Sequence, residues 1–418
     1  MKIVYAEVIT IGDEILYGQT LDTNTHWMGQ KLNALGIKII RKVSIGDSSE
    51  EIISALDDAS RRADIILITG GLGPTKDDLT KYTLASYFGM ELKRDEASLM
   101  HIKTLFESRG RTITPTNEKQ ADLPDGCTII TNRMGTAPAM WFEKEGKVVV
   151  SMPGVPYEMK TIMEEQVLPR IKDKFALPVI FHQMIQTVGI GESWLSDKIE
   201  DWENNLPAHI RLAYLPSFGN VKLRLTAVGE QLDQLKADVQ AEVDKLLPQI
   251  EEYVFGMGDI SLEEAVGDML LAQGKTVALA ESCTGGYVAH RLTSRAGSSA
   301  YFQGALVPYH NQFKNEVLHV QSDTLEKYGA VSEQTVIEMA QNIRKMMNAD
   351  FGLASSGIAG PGGGTDEKPV GTVWIAVADE QSIVTHKLML SKDRELNIKL
   401  TNVALLNLLR KQLIPNVK

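Results

Sequence analysis

The sequence predicts an α/β protein: two doubly wound α/β domains joined by a small α+β, ferredoxin-like domain. Three observations predict it. Short β-branched runs alternate with helix-length segments over residues 1–170, and again over 258–418. The stretch between, 171–257, follows β-α-β-β-α-β order. A chain of 418 residues has room for about three domains at roughly 150 residues each.

The elements follow in order. Ile3–Thr10 is a β-branched strand. Thr23–Leu35 has helical spacing, with Trp27, Met28, Leu32 and Leu35 on the inward side. Ile37–Ile45 reads as a strand, and Ser48–Arg61 as a helix burying Ile52, Ile53 and Leu56. Asp64–Thr69 carries an unbroken apolar run, as expected of a strand covered on both faces of a parallel sheet. Ala139–Ser151 reads as a hairpin turning at Glu143–Gly146. In the middle segment, strands are expected at Gln183–Val188, Arg211–Leu215, Val221–Val228 and Tyr253–Phe255, with helices Glu192–Trp202 and Gln231–Leu247. This acidic segment reads as a spacer or dimerisation unit. In the last segment, Ser261 and Glu264 form a capping-box pattern ahead of Ala265–Ala272. Strands Lys275–Ala280, Phe302–Tyr309, Phe351–Ser356, Thr372–Ala378 and Val384–Leu390 follow, with helices Ser332–Met347 and Asp393–Leu413.

Composition narrows the function classes. The net charge is −11, and none of the three segments has a basic excess, so direct nucleic-acid binding is not expected. No apolar run approaches the roughly 18 residues of a membrane span, and the first residues lack the pattern of a secretory signal. Cys127 and Cys283 are the only cysteines, with no CxxC or HExxH spacing, so a reducing cytoplasm is expected.

The strongest motif is the loop leaving the strand at Thr69. Gly70, Gly71 and Gly73 let backbone N–H groups approach a ligand, and Pro74, Thr75, Lys76, Asp77 and Asp78 follow. Ligands of open α/β sheets bind at such carboxyl ends of strands. Asp77 and Asp78 would either hold a divalent cation bridging phosphates or, in the case of Asp78, cap the helix at Leu79–Phe88. Two further loops are expected on the same edge. One is Thr10–Gly18, with Gly12, Asp13 and Glu14. The other is Ser151–Met159, with Pro153 and Gly154. Carboxylates around a glycine cradle suit metal-assisted phosphate chemistry.

GGLGPTKDD and MPGVPYEM resemble the molybdopterin-binding fold of molybdenum-cofactor biosynthesis proteins, and more closely the amino-terminal domain of the CinA (competence/damage-inducible) family. That resemblance implies a pyrophosphatase cleaving ADP-ribose with a divalent metal such as magnesium. It makes Asp13, Glu14, Asp77 and Asp78 candidates for handling the metal. Gly12, Gly70, Gly71, Gly73, Thr75, Pro153 and Gly154 become candidates for the nucleotide and its phosphates.

A second chemical site is expected after Lys275–Ala280. In Glu281-Ser282-Cys283-Thr284-Gly285-Gly286, Ser282 sits where a strand gives way to a helix. Ser282 or Thr284 is the expected helix cap, and amides of the turn would stabilise an oxyanion. A nucleophilic serine needs a base. His290, His310 and His319 show no arrangement that dictates a triad. Lys314 is the alternative, because a desolvated ammonium gives up its proton more readily. It follows Tyr309 and Asn311 at the end of another strand. Cys283 is read as a small buried thiol rather than a nucleophile. The loop Ser355–Thr365 holds five glycines in eleven residues and points to close backbone approach to a ligand.

AESCTGG, VPYHNQFK, GAVS, SGIAGPGGG and KPVGTVW look like the CinA carboxyl-terminal domain, so the resemblance spans the whole chain. That family contains nicotinamide mononucleotide deamidases, which convert the carboxamide to a carboxylate and release ammonia without a metal. On the resemblance, Ser282 is the nucleophile, Lys314 its base, and Tyr309 and Asn311 orient the amide. Thr284, Gly285, Gly286, Ser356, Gly357, Ala359, Gly360, Thr372 and Arg394 would contact substrate. The resemblance also suggests a homodimer. Two alternatives stay open at this point: a molybdopterin-binding protein, and a non-catalytic partner in DNA uptake or repair.

Overall fold

A computed structural model describes residues 3–75 and 78–414. The protein is mixed α/β, with an amino-terminal α/β domain, a small middle domain and a carboxyl-terminal α/β domain.

The amino-terminal domain is built on strands β1 (Tyr5–Ile11), β2 (Lys38–Ile45), β3 (Ile65–Thr69), β4 (Leu92–Arg94), β5 (Asp122–Pro124), β6 (Thr128–Ile130), β7 (Ala139–Lys144) and β8 (Lys147–Met152). The main sheet has the order β2-β1-β3-β8-β7-β6. Its first four strands are parallel, and β7 and β6 run antiparallel. Every residue of β3 is buried, because helices cover both faces of the sheet. Val8, Leu67 and Val150 pack beneath Met28, Leu32, Met159 and Ile162. Their neighbours Ile9, Ile66 and Ile68 point the other way, into Ile52, Leu56 and Leu84. Period-two alternation across a two-sided sheet thus builds two cores from one set of strands. Asp22 caps the helix Thr23–Ala34, and Ser48 caps the helix Ser49–Arg62.

The middle domain pairs β9 (Val179–Val188), β10 (Ile210–Ser217), β11 (Asn220–Gly229) and β12 (Val254–Met257) in the order β10-β11-β9-β12, with helices Glu192–Asn204 and Leu232–Ile250. This is the ferredoxin-like arrangement. Two bounds differ from expectation by three residues or more. β9 starts at Val179, because Val-Ile-Phe-His extends as readily as the residues after it. The second helix runs on through Pro248, whose missing N–H falls in its last turn and removes only one late hydrogen bond.

The carboxyl-terminal sheet comprises β13 (Val277–Glu281), β14 (Phe302–Leu306), β15 (Phe351–Gly357), β16 (Thr372–Ala378) and β17 (Ile383–Met389), ordered β14-β13-β15-β16-β17. β14, β13 and β15 are parallel, and β16 and β17 are antiparallel. Ser261 and Glu264 complete the expected capping box on the helix Leu262–Gln273. Leu279, Leu353 and Ile375 bury against that helix and against Leu405 and Leu409. On the opposite face the alternating residues are small: Ala278, Ala280, Ala354 and Ala376. They let the helix Glu333–Met346 lie close, and a Cβ on Gly352 would come within 2.0 Å of the Ala340 carbonyl oxygen. Arg410, 2% exposed, donates to the carbonyls of Val254 and Glu252 and so ties the last helix to the middle domain. No helix among the described residues is long and apolar enough to cross a membrane.

Candidate functional sites

At the carboxyl ends of β1, β3 and β8 lies a cleft of about 550 Å³. Gly12, Glu14, Gly70, Gly71, Gly73, Asp78, Pro153 and Gly154 line it, so the three predicted loops meet on one edge. Gly70 has φ +111°, and a Cβ there would sit 2.1 Å from the Ile11 carbonyl oxygen; only glycine lets the loop pass so close to β1. The N–H groups of Gly71, Leu72 and Gly73 have no acceptor among the described residues. Asp78 does not cap the following helix. That helix is Thr80–Phe88, its N-cap is Leu79, and no side chain bonds its first amides. Asp78 instead accepts from the N–H of Thr75 at 2.9 Å and from the Thr75 hydroxyl, closing the loop on itself. Thr75 faces a neighbouring cavity with Lys81, whose burial lowers its pKa to about 8. Asp77 lies outside the described residues.

The cleft is acidic. Glu14, Asp22, Asp47, Asp78 and Glu158 line it, and among the described residues no lysine, arginine or histidine does. Four of these carboxylates are already engaged: Asp22 accepts from Thr10 Oγ1 and the Thr25 N–H, Asp47 from the Asp13 N–H, Asp78 from Thr75, and Glu158 from Asn132 Nδ2. Asp13 is not part of the wall; its carboxylate lies beside Gly46. Among the described residues no three carboxylates, histidines or cysteines converge as a ready metal cage. A phosphate entering this field needs a cation with it. Magnesium typically takes one or two carboxylates, phosphate oxygens and water, and Glu14 and Asp78 fit that part. Asn24 was missed by the sequence reading. It is 6% exposed and lines the cleft, with Nδ2 fixed on Thr69 Oγ1 and the Gly154 carbonyl, while its Oδ1 is unpartnered.

The second site forms where β13, β14 and β15 end together. Ala280 is in register with Leu306, and Glu281 with Ser355. Ser282, the segment after Leu306, and Ser356 therefore share one edge of the sheet. Ser282 is 8% exposed, and its N–H donates to the Ser355 carbonyl. Lys314 is 1% exposed, near Cys283, and its ammonium is destabilised by burial, which lowers its pKa. Its Nζ donates to the carbonyls of Pro308 at 2.9 Å and Tyr309 at 3.2 Å. A neutral amine has two N–H groups and one lone pair. In its uncharged form the amine would give both N–H groups to these two carbonyls and keep its lone pair for a proton donor. Cys283 is buried and its thiol is pushed up to about 12, so it stays protonated.

Neither Ser282 nor Thr284 caps the next helix, Tyr287–Thr293, whose N-cap is Gly286. Glu281 does that work. Its carboxylate, fully buried, accepts from the N–H groups of Gly286 (3.0 Å), Val288 (3.1 Å) and Ala289 (2.7 Å). With Gly285 N–H on the Ser282 carbonyl, only Cys283 and Thr284 keep amides of the turn without an acceptor among the described residues. Gly286 has φ +95°, which lets the turn meet the helix. The Thr284 hydroxyl bonds Ser355 Oγ at 2.7 Å, beneath the turn.

The remaining candidates divide. Arg394 joins two walls: Nη1 donates to the Gly360 carbonyl at 2.9 Å and Nη2 to the Tyr309 hydroxyl at 2.7 Å. Asn311 is exposed at the start of the helix Asn311–Glu316. Ser356 is turned inward and donates to the Ala330 carbonyl, which ties GAVS to the glycine loop. A Cβ on Gly357 would meet Val373 and the Thr372 carbonyl, so this glycine serves strand pairing. Ala359 is buried, and its carbonyl receives Asn397 Nδ2. Thr372 is fully buried, its hydroxyl toward Met389 sulfur at 3.8 Å; it belongs to the sheet interior and not to a substrate surface.

Comparisons with known proteins decide the family. Residues 7–173 match a family model described as a probable molybdopterin binding domain, 182–256 the damage-inducible protein CinA KH domain, and 259–413 the CinA C-terminal domain. A CinA-like protein of Cytophaga hutchinsonii is 53% identical over 98% of both chains. The chain belongs to the CinA family. A putative competence-damage inducible protein of Halothermothrix orenii is 41% identical over 95% of each chain. The solved structure of CinA from Thermoplasma acidophilum, titled as of unknown function, is 36% identical, with TM-score 0.37, covering 41% of this chain and 99% of that one.

Proposed function

We propose that this CinA-family chain is a bifunctional nucleotide hydrolase. Its carboxyl-terminal domain deamidates nicotinamide mononucleotide to nicotinic acid mononucleotide. Its amino-terminal domain cleaves the pyrophosphate of ADP-ribose with a divalent cation.

The observation that supports the first activity is a buried Lys314, held by the carbonyls of Pro308 and Tyr309 and close to Cys283, the residue after Ser282. Neutral Lys314 takes the Ser282 proton as Oγ attacks the carboxamide carbon. The N–H groups of Cys283 and Thr284 receive the oxyanion. The C–N bond then breaks, Lys314 returns the proton to the leaving nitrogen, and ammonia departs. Water hydrolyses the Ser282 ester to the acid. Arg394 and Tyr309 hold the glycine loop over the nucleotide.

The second activity rests on loop amides without an acceptor among the described residues, beside an acidic cleft. The amides of Gly71–Gly73 bind phosphate, and Glu14 and Asp78 hold the cation. When bound, the cation offsets phosphate charge and polarises the scissile bond. A molybdopterin reading is suggested by GGLGPTKDD and by the description of the matching family model, and is separated by titration with a pterin. Nucleic-acid binding through the KH-like domain is disfavoured, because residues 182–256 contain no GxxG loop.

The test is incubation of the full chain with each substrate, with and without magnesium, with products separated by chromatography. Nicotinic acid mononucleotide formed independently of metal, and AMP from ADP-ribose formed only with metal, support the reading. Unchanged substrates reject it.

A further inference from the structure

A crevice of about 250 Å³ lies between the middle sheet and the helices of the carboxyl-terminal domain, and its lining shares no residue with the Ser282 turn or the amino-terminal cleft. Its walls carry three cations, Lys222, Arg291 and Lys399, against one carboxylate, Glu263. Arg291 is tied to Glu263 at 2.8 Å. The other two cations have only exposed partners: Lys399 pairs with Glu395, 80% exposed, and lies 5.6 Å over the exposed Phe218 ring, and Lys222 lies 3.8 Å from Asp259, 95% exposed. Such pairs contribute about 0–1 kcal/mol, so an entering anion displaces them readily. Phe218 and Tyr287 supply aromatic surface at the same place.

The polar floor is specific. Asn402 is 2% exposed, and its Nδ2 donates to Glu263 Oε1 at 3.0 Å, which fixes which end of the amide is which. Its Oδ1 has no partner, and neither does the buried Oδ1 of Asn220 on the facing strand. A buried carbonyl oxygen left without a donor costs about 1–3 kcal/mol. Two of them lining one cavity mark a place where a ligand N–H or O–H is wanted.

We infer that this crevice is a binding site for a mononucleotide-sized ligand, with a phosphate on Lys222 and Lys399, a flat ring against Phe218 or Tyr287, and an N–H or O–H donated to Asn402. At about 250 Å³, just under the roughly 300–1,000 Å³ of usual ligand pockets, the crevice would take one small ligand left partly exposed and is too small for a dinucleotide. The site is distinct from both hydrolytic centres and does not depend on either activity.

Equilibrium dialysis of the full chain against radiolabelled AMP tests it by counting sites, so that AMP held in the amino-terminal cleft is counted separately. A Lys222→Ala/Lys399→Ala variant, with thermal unfolding as its fold control, should lose one equivalent per chain or bind it at least tenfold more weakly. Inorganic phosphate should compete at least tenfold less well than AMP. Asn402→Leu should weaken AMP while leaving phosphate competition unchanged. Unaltered stoichiometry and affinity in the double variant, or equal competition by phosphate and AMP, overturns the proposal.

Discussion

Glu281 offers the sharpest structural prediction. Replacing it with Ala removes a fully buried carboxylate and strands the amides of Gly286, Val288 and Ala289. Hydrogen bonds to charged groups are worth about 1.5–3 kcal/mol each, and water reaching the vacated space recovers part of that. The expected net loss is about 3–5 kcal/mol, near the upper end for a single substitution. For a domain of this size, roughly 2–4 °C per kcal/mol gives a fall of about 10 °C in its unfolding temperature. Glu281→Gln keeps one acceptor oxygen and should lose about half as much. The same three bonds hold the turn that carries Ser282, so kcat for deamidation should fall more than KM rises, at a temperature where both variants remain folded. Scanning calorimetry and steady-state ammonia release measure the two effects. An Ala variant melting within 2 °C of the parent would refute the capping argument. An Ala variant with normal kcat would refute the positioning argument.

Further expectations follow from the same geometry. Because burial lowers the Lys314 pKa, deamidation should rise with pH as the amine is uncovered, with a midpoint below the ~10.4 of a free lysine; Lys314→Met should abolish that limb. Burial of Lys81 brings its pKa to about 8, so the unfolded chain binds the extra proton between about pH 8 and 10, and stability of the amino-terminal domain should increase with pH across that window, as denaturant titration would read. The thiols of Cys283 and Cys127, pushed up to about 12 and 11, should resist iodoacetamide in the native chain at pH 8, and deamidation should survive that treatment. Arg394→Ala unties Gly360 from Tyr309 and should raise KM for the mononucleotide about tenfold, with little effect on melting.

What could be read from the sequence was whatever a local rule encodes. The five buried residues of β3 announced a two-sided parallel sheet, and Ser261 with Glu264 announced a helix start. The loops meeting at the amino-terminal cleft were legible because glycines and carboxylates at strand ends have few other uses. Roles set by contacts distant in sequence were not. A glutamate after a strand reads as a surface residue, and only the helix folding back onto Glu281 gives it a function. Asp78 met Thr75 instead of the helix amides. Ser356, Gly357 and Thr372 sat in a motif that reads as ligand-binding, yet strand pairing turns them inward. Asn24 and Asn402 became conspicuous only through oxygens left without donors. The KH-like middle domain carries the expected element order but lacks the GxxG loop that clamps nucleic acid in such domains.

The hydroxyl of Ser282 stands at the centre of the account, and among the described residues Ser282 is bonded only through its backbone. Ammonia release from nicotinamide mononucleotide by Ser282→Ala, compared with the parent chain at equal concentration and matched melting temperature, tests this most directly. A loss of at least about a thousandfold is the predicted result, in the range seen when a nucleophile is removed. Turnover within a few fold of the parent would contradict it.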